Sequence, residues 1–257
     1  MKLKQLFESV TSKQDVETIL KKYKITNYTI NDDLSVDVDG DVFLNDQNLS
    51  SIPVNFGKVS GGFDCSYSQL TSLKGVPREV DGNFNCYSNQ LTSLQGAPRE
   101  VGGSFYCGSN HLSSLQGAPR EVGGDFWCYS SQLTSLQGGP KEVGGDYDCH
   151  DNQLTSLQGA PKEVGENFDC SENKLTTLEG APKEVGVHFY CYNNQLTSLQ
   201  GAPREVGGDF RCSTNKLTSL QGAPREVGGN FYCRNNANLT SLDGIGNVAG
   251  EIRSDLS

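Results

Sequence analysis

Apolar positions along this chain follow two rhythms. From about residue 38 to the C-terminus they recur with a strict 21-residue period. In the unit covering residues 125–145, Phe126 and Cys128 lie two apart, Leu133 and Leu136 follow at wider spacing, and Val143 precedes a Gly-Gly pair. Cys65, Cys86, Cys107, Cys128, Cys149, Cys170, Cys191, Cys212 and Cys233 mark the same column, and they are all the cysteines of the chain. A fixed period of this size is the mark of a solenoid, whose stacked units bury one continuous core. The two-residue spacing predicts a strand with Phe126 and Cys128 pointing inward and Trp127 and Tyr129 pointing outward. Leu133 and Leu136 are expected to anchor the turn away from that strand, and Val143 to close the far side.

The first residues have a different rhythm. Leu3, Leu6, Phe7 and Val10 fall on one helical face, and Val16, Ile19, Leu20 and Tyr23 continue at helical spacing. Ser12 followed by Asp15 between these groups predicts an N-cap, hence two short helices or one kinked helix. Residues 25–30 and 34–38 alternate around Asn31, Asp32 and Asp33, which predicts a hairpin. Residues 1–37 are therefore expected to form a small α+β cap over the apolar end of a solenoid spanning residues 38–257. Its first coil is degenerate, with Val38, Val42, Leu44, Leu49, Ile52 and Val59 in the apolar positions and Leu44 in the cysteine slot. Eight regular coils follow. An extra residue before Leu239 disturbs the next one, and the tail from residue 244 echoes the unit without its proline.

Polar and special residues repeat as strictly as the apolar ones. Asn89, Asn110, Asn152, Asn173, Asn194 and Asn215 stand three after cysteine, with Ser68 and Ser131 as exceptions. Asparagine there can bond backbone groups exposed by the bend and stack into a ladder from coil to coil. A proline in each return segment, from Pro77 to Pro224, keeps that segment extended rather than helical.

The combined pattern V-x-x-x-F-x-C-x-x-N-x-L-x-x-L-x-G-x-P resembles the leucine-rich repeat, L-x-x-L-x-L-x-x-N-x-L, and within it the short bacterial type with proline in the return segment. The resemblance covers residues 38–256. Phenylalanine and cysteine in place of strand leucines, and the Gly-Gly corner, depart from it. Near-identical units behind a short helical start also resemble repeat proteins of tailed bacteriophages. The first resemblance implies a mainly β solenoid, an arc with a parallel sheet on its concave face. About ten coils at roughly 4.8 Å each would make it some 45–50 Å long.

Composition narrows the function. The net charge of −10 argues against direct nucleic-acid binding or an anionic membrane surface. No apolar run approaches the roughly 20 residues a membrane span needs, and the start lacks the apolar core of a secretion signal. Nine cysteines could indicate disulfides or metal. Equivalent residues on stacked parallel strands, however, sit about 4.8 Å apart with parallel Cβ bonds, and a disulfide needs about 3.8 Å with converging ones. A column of free, buried thiols in a reducing cytoplasm is the expectation, in the host cytosol if the chain is phage-encoded.

Variation between coils shows which positions are free of packing. The residues flanking cysteine change from coil to coil and are expected to face the hollow of the arc. Tyr87, Tyr106, Trp127 and Tyr129 would form an aromatic zone there. Asp148, His150 and Asp169, with Asp125, Asp146, Asp151 and Glu172, would form an acidic one. Tyr190, Tyr192, Arg211, Tyr232 and Arg234 would form a mixed aromatic and basic one. Aromatics and arginine dominate binding hot spots, so the expected function is a non-catalytic scaffold that recognises a protein partner, with the phage resemblance implying a host factor. Two other readings stay open: an acidic mimic of nucleic acid, and a structural protein that associates with itself or with a virion. No catalytic, metal or cofactor site is expected. His150 points out where Cys149 points in, so they form no dyad, although Asp148 and Asp169 on adjacent strands could share a cation or a proton. The Arg–Glu pairs of the return segments (Arg78-Glu79, Arg99-Glu100 and their successors) read as a solvated charge ladder on the convex side, each exposed pair worth about 0–1 kcal/mol.

Overall fold

A computed structural model describes residues 10–256, so the reading of residues 1–9 as the start of a helix lies outside the described residues. Helix α1 spans Lys13–Lys22 and is capped by Ser12 as its sequence predicts. The Asp15 amide donates to the Ser12 hydroxyl and the Ser12 amide donates to the Asp15 carboxylate, a capping box. Val16, Ile19 and Leu20 make the buried face of this helix. Strands β1 (Tyr28–Ile30) and β2 (Val36–Val38) form the expected antiparallel hairpin.

From β2 onward all pairing is parallel, and after a register shift where Val36–Val38 meets Phe56–Val59 each strand aligns with its equivalent in the next coil. Two sheets result, one of 12 strands and one of 11. The larger is built from two-residue Glu–Val strands such as Glu121–Val122 and Glu142–Val143. The smaller is built from Phe-x strands such as Phe126–Trp127 and Tyr147–Asp148, and starts at β3 (Val42–Phe43). The molecule is a parallel β-solenoid. Its return segments, expected to be merely extended, zip into a second ladder because one inward valine per coil stacks in register.

Between the sheets the core is apolar and columnar. The phenylalanines of the Phe-x strands, the cysteines and both leucines of each regular coil are buried, as is its valine. Phe63, Phe84, Phe105, Phe126, Tyr147, Phe168, Phe189, Phe210 and Phe231 form one stack with centroids 5.2–5.8 Å apart. All nine cysteines are free thiols in this core. Burial pushes them well above the ordinary thiol range, with the neighbouring thiol adding to the shift for Cys107 and its equivalents. Tyr147 alone brings a hydroxyl into the phenyl column, and that oxygen has no hydrogen-bond partner. Gly139 stands where most coils have alanine and the first regular one has Val76, and a Cβ there would press on Leu115 Cδ1 at 2.9 Å but meet the Tyr147 hydroxyl only at an ordinary 3.5 Å.

The asparagine ladder forms as expected. Asn152 donates to the carbonyls of Cys128 (3.2 Å), Cys149 (3.1 Å) and His150 (3.1 Å), and its Oδ1 accepts from Leu133 N at 3.0 Å. Each rung thus ties its own coil to the previous one. Asn236 adds a rung in the coil with the insertion, because the extra residue comes after the rung. A type II turn follows in each coil, with Gly138 at φ 86° and Gly139 N donating to Leu136 O at 3.1 Å. The residue two after cysteine is left-handed throughout, including Tyr67, Glu172 and Thr214 at φ 49°, 55° and 56°.

Candidate functional site

The Phe-x sheet alternates strictly, so the side chains on either side of each cysteine stand on its outer face. The twelve residues singled out in the sequence all lie there, half-buried except for exposed Arg234. In-register pairing sets the order of the row before cysteine as Tyr106, Trp127, Asp148, Asp169, Tyr190, Arg211 and Tyr232.

The structure brings the aromatic zone into contact. Tyr106 and Trp127 have centroids 4.6 Å apart, and Trp127 lies 6.0 Å from Tyr129. Gly108 separates Tyr87 from Tyr129 in the row after cysteine, and its missing side chain lets their rings approach to 5.7 Å. Tyr67 extends the cluster at 5.5 Å from Tyr87, and His150 stacks on Tyr129 at 4.8 Å and 15°. Desolvation first, then the hydrogen bond with Tyr87, push the Tyr129 phenol up to about 12. Tyr67 was not among the sequence candidates. It occupies the left-handed position two after cysteine, where other coils have small or polar residues, and that anomaly was its only signal.

The acidic zone centres on three residues. His150 Nδ1 lies 2.7 Å from Asp148 Oδ1, and this bond raises the imidazole above its ordinary value. Asp169 accepts from the Ser171 amide at 2.8 Å and its hydroxyl at 2.5 Å. Burial nevertheless pushes its carboxyl up to about 6, with Asp148 adding to the shift. One donor atom from each of Asp148, His150 and Asp169 lies within 4.8 Å of the others, so these side chains could jointly face one positive charge. Among the described residues neither Asp148 nor Asp169 has a Lys or Arg ion pair.

The third zone is self-complementary. The Arg211 guanidinium sits 5.3 Å from the Tyr190 ring and 4.7 Å from the Tyr232 ring, and its Nη2 bonds Asp209 Oδ2 at 2.9 Å. Burial raises Asp209, but the Asn230 amide and Arg211 outweigh it and hold the carboxyl below its ordinary value. Arg253 repeats the motif at the next coil, 5.5 Å from Tyr232 and paired to Glu251 at 2.9 Å. Tyr192 touches Tyr190 edge-on at 6.4 Å.

The hollow lies elsewhere than expected. A groove of about 1580 Å³ runs from Lys58 to Asn247 along the Glu–Val sheet, lined by Glu79, Glu100, Glu121 and their successors. A parallel sheet does line the concavity, but it is the ladder of the return segments. In the groove, ion pairs among the described residues are few and long: Lys58 with Glu79 (3.8 Å) and Asp81 (3.3 Å), and Arg120 with Glu121 (3.8 Å). No described helix is long and apolar enough to cross a membrane.

No protein-family model matches the chain, and no curated protein matches it. Among solved structures it is similar to YopM from Yersinia enterocolitica WA-314, with 18% identity and a TM-score of 0.39 over 78% of this chain and 56% of that one. The chain spans little more than half the length of that protein.

Proposed function

We propose that this protein is a non-catalytic recognition scaffold that binds a partner protein through the outer face of its Phe-x sheet. The observation that carries the reading is a contrast within one strand. Inward positions are almost invariant from coil to coil, whereas the outward neighbours change and include a contiguous cluster of rings, Tyr67, Tyr87, Tyr106, Trp127 and Tyr129. Large aromatic side chains on a rigid sheet offer contact area at low entropic cost. Catalysis has little to draw on here, because the thiols are buried and protonated at neutral pH. The resemblance to bacteriophage repeat proteins makes a host protein the partner to look for.

The test replaces Trp127, Tyr129 and Tyr190 together with alanine and compares capture of partner proteins from the native cytosol with that of the unaltered chain. Loss of specific capture with unchanged circular dichroism is the expected result. Retained capture would refute the assignment of this face. Substitution of Glu142 and Glu163 in the groove by glutamine serves as the control and is expected to leave capture intact.

A further inference from the structure

A second ladder of side chains runs along the glycine corner. From Asn83 to Asn230 the side chain three before cysteine accepts the backbone amide of its equivalent one coil on, over 2.8–3.0 Å. All but one of these acceptors are oxygens of asparagine, serine or aspartate, and such an oxygen can accept whatever its proton count. The exception is His188, whose Nδ1 accepts the Asp209 amide at 2.8 Å. A backbone amide can only donate, so this nitrogen is bare and the neutral ring carries its proton on Nε2. A second proton would turn the acceptor into a donor facing a donor. His188 is half-buried, so its ring can exchange protons with water.

The same ring lies against the third zone of the outer face. It is 5.6 Å from the Tyr190 ring. The residue whose amide it holds, Asp209, is also the carboxylate that bonds Arg211 between Tyr190 and Tyr232. We infer that His188 is a proton-sensitive joint between its coil and the next, and that charging it loosens Arg211 from the two rings. The groups facing it are Asp209 and Arg211 from the following coil, Tyr190 in its own strand, and Asn167 from the preceding coil, with Asp146 bonded behind Asn167. Asp209 attracts an imidazolium, but its oxygens already take the Asn230 amide at 2.8 Å and Arg211 at 2.9 Å. The charged ring therefore gains that carboxylate only in competition with the guanidinium, which it also repels. The Asp209 amide loses its acceptor in either case, and a donor left without one shifts an equilibrium by about tenfold. What the joint does to partner binding rests on the recognition reading of this face; the joint itself does not.

The test compares urea unfolding of the full-length protein with that of His188→Asn at about pH 7.5 and about pH 5, a range over which histidine changes charge. Asparagine stands at this place in the preceding coil and in the coil after next, as Asn167 and Asn230, and accepts the following amide there. The two proteins should therefore unfold at similar midpoints at the higher pH. At the lower pH the unfolding constant of the unaltered protein should have risen about tenfold more than that of the variant. Every other titrating group is common to both proteins and cancels. The second readout is the Arg211 Nε–H resonance in protein carrying isotope-labelled arginine, identified by its loss in Arg211→Lys. That nitrogen is buried without a partner, between rings whose currents displace its signal. Acid should move the signal toward that of an exposed arginine in the unaltered protein and leave it in place in His188→Asn. Parallel unfolding curves, or an Arg211 signal that moves alike in both proteins, would overturn the inference. Neither measurement needs a partner, so the recognition face can fail its own capture test while the joint stands, and the reverse.

Discussion

Replacing Ser131 by asparagine should stabilise the protein, because Ser131 is a missing rung in an otherwise continuous ladder. Asn110 and Asn152, one coil to either side, each bond carbonyls of two coils through Nδ2 and accept a leucine amide through Oδ1. Ser131 instead offers only its hydroxyl to Asn110 N at 3.3 Å, and it is too short to reach Leu112 N as Asn110 reaches Leu91 N at 2.9 Å. A restored rung would add about three effective bonds. At roughly 1 kcal/mol net each, less about 1 kcal/mol for fixing the side chain and losing the serine bond, Ser131→Asn should gain about 2 kcal/mol. For a chain of this size that corresponds to about 4–8 °C in Tm. Trp127 lies in the same coil, so urea unfolding followed by its fluorescence reports on the altered rung itself. The mirror change, Asn152→Ser, should cost at least as much, because it leaves the Leu133 amide and the Cys128 carbonyl unbonded and the Cys149 carbonyl with only its bond from Asn173. An unchanged midpoint for Ser131→Asn together with a mild effect of Asn152→Ser would show that the ladder is not what ties coil to coil.

Two further outcomes follow from the core and the acidic zone. Tyr147→Phe removes an unpartnered buried hydroxyl and should stabilise by about 1–2 kcal/mol, read as a raised urea midpoint; an unchanged or lower midpoint would contradict the burial of that oxygen without a partner. Asp169 has a folded-state pKa of about 6, above the roughly 3.9 of an unfolded chain. The folded state therefore holds the proton more tightly, and stability at this site declines as pH rises from about 4 through 6. Asp169→Asn should accordingly raise stability at pH 8 by about 1–2 kcal/mol, less than the full shift implies because the group is partly solvated, and leave it nearly unchanged at pH 4. An equal gain at both pH values would contradict the burial argument.

Much of the architecture was written in the sequence because stacking makes every position answer to its equivalent one coil away. Phe126, Cys128, Leu133, Leu136 and Val143 are spaced as a coil requires, and the capping box of Ser12 and Asp15 is local chemistry that any helix start would show. Three features were not legible. The Glu–Val ladder consists of two-residue strands, too short for any alternation to appear. The left-handed residue two after cysteine accepts Tyr67, Ser88, Glu172 and Thr214 alike, because the geometry of the bend imposes it and side-chain preference does not. The groove along the Glu–Val sheet exists only once the coils are stacked, so no single unit contains it. The outward residues could be read from variation between coils, but the contact of Tyr87 with Tyr129 across Gly108 required knowing that rows two coils apart can touch where a side chain is missing.

Everything argued for the outer face depends on the thiols being inside. Counting thiols that react with a small disulfide reagent, first in the native protein and then in denaturant, measures this directly. Nine cysteines, all buried and pushed toward the protonated form, should give almost no native reaction and full reaction on unfolding, with Cys233, held at about 11 in the coil that carries the insertion, the first to yield. Reaction of most thiols in a protein that keeps its native circular dichroism would place the cysteine column on the surface. It would also reverse the face assigned to Trp127 and its neighbours.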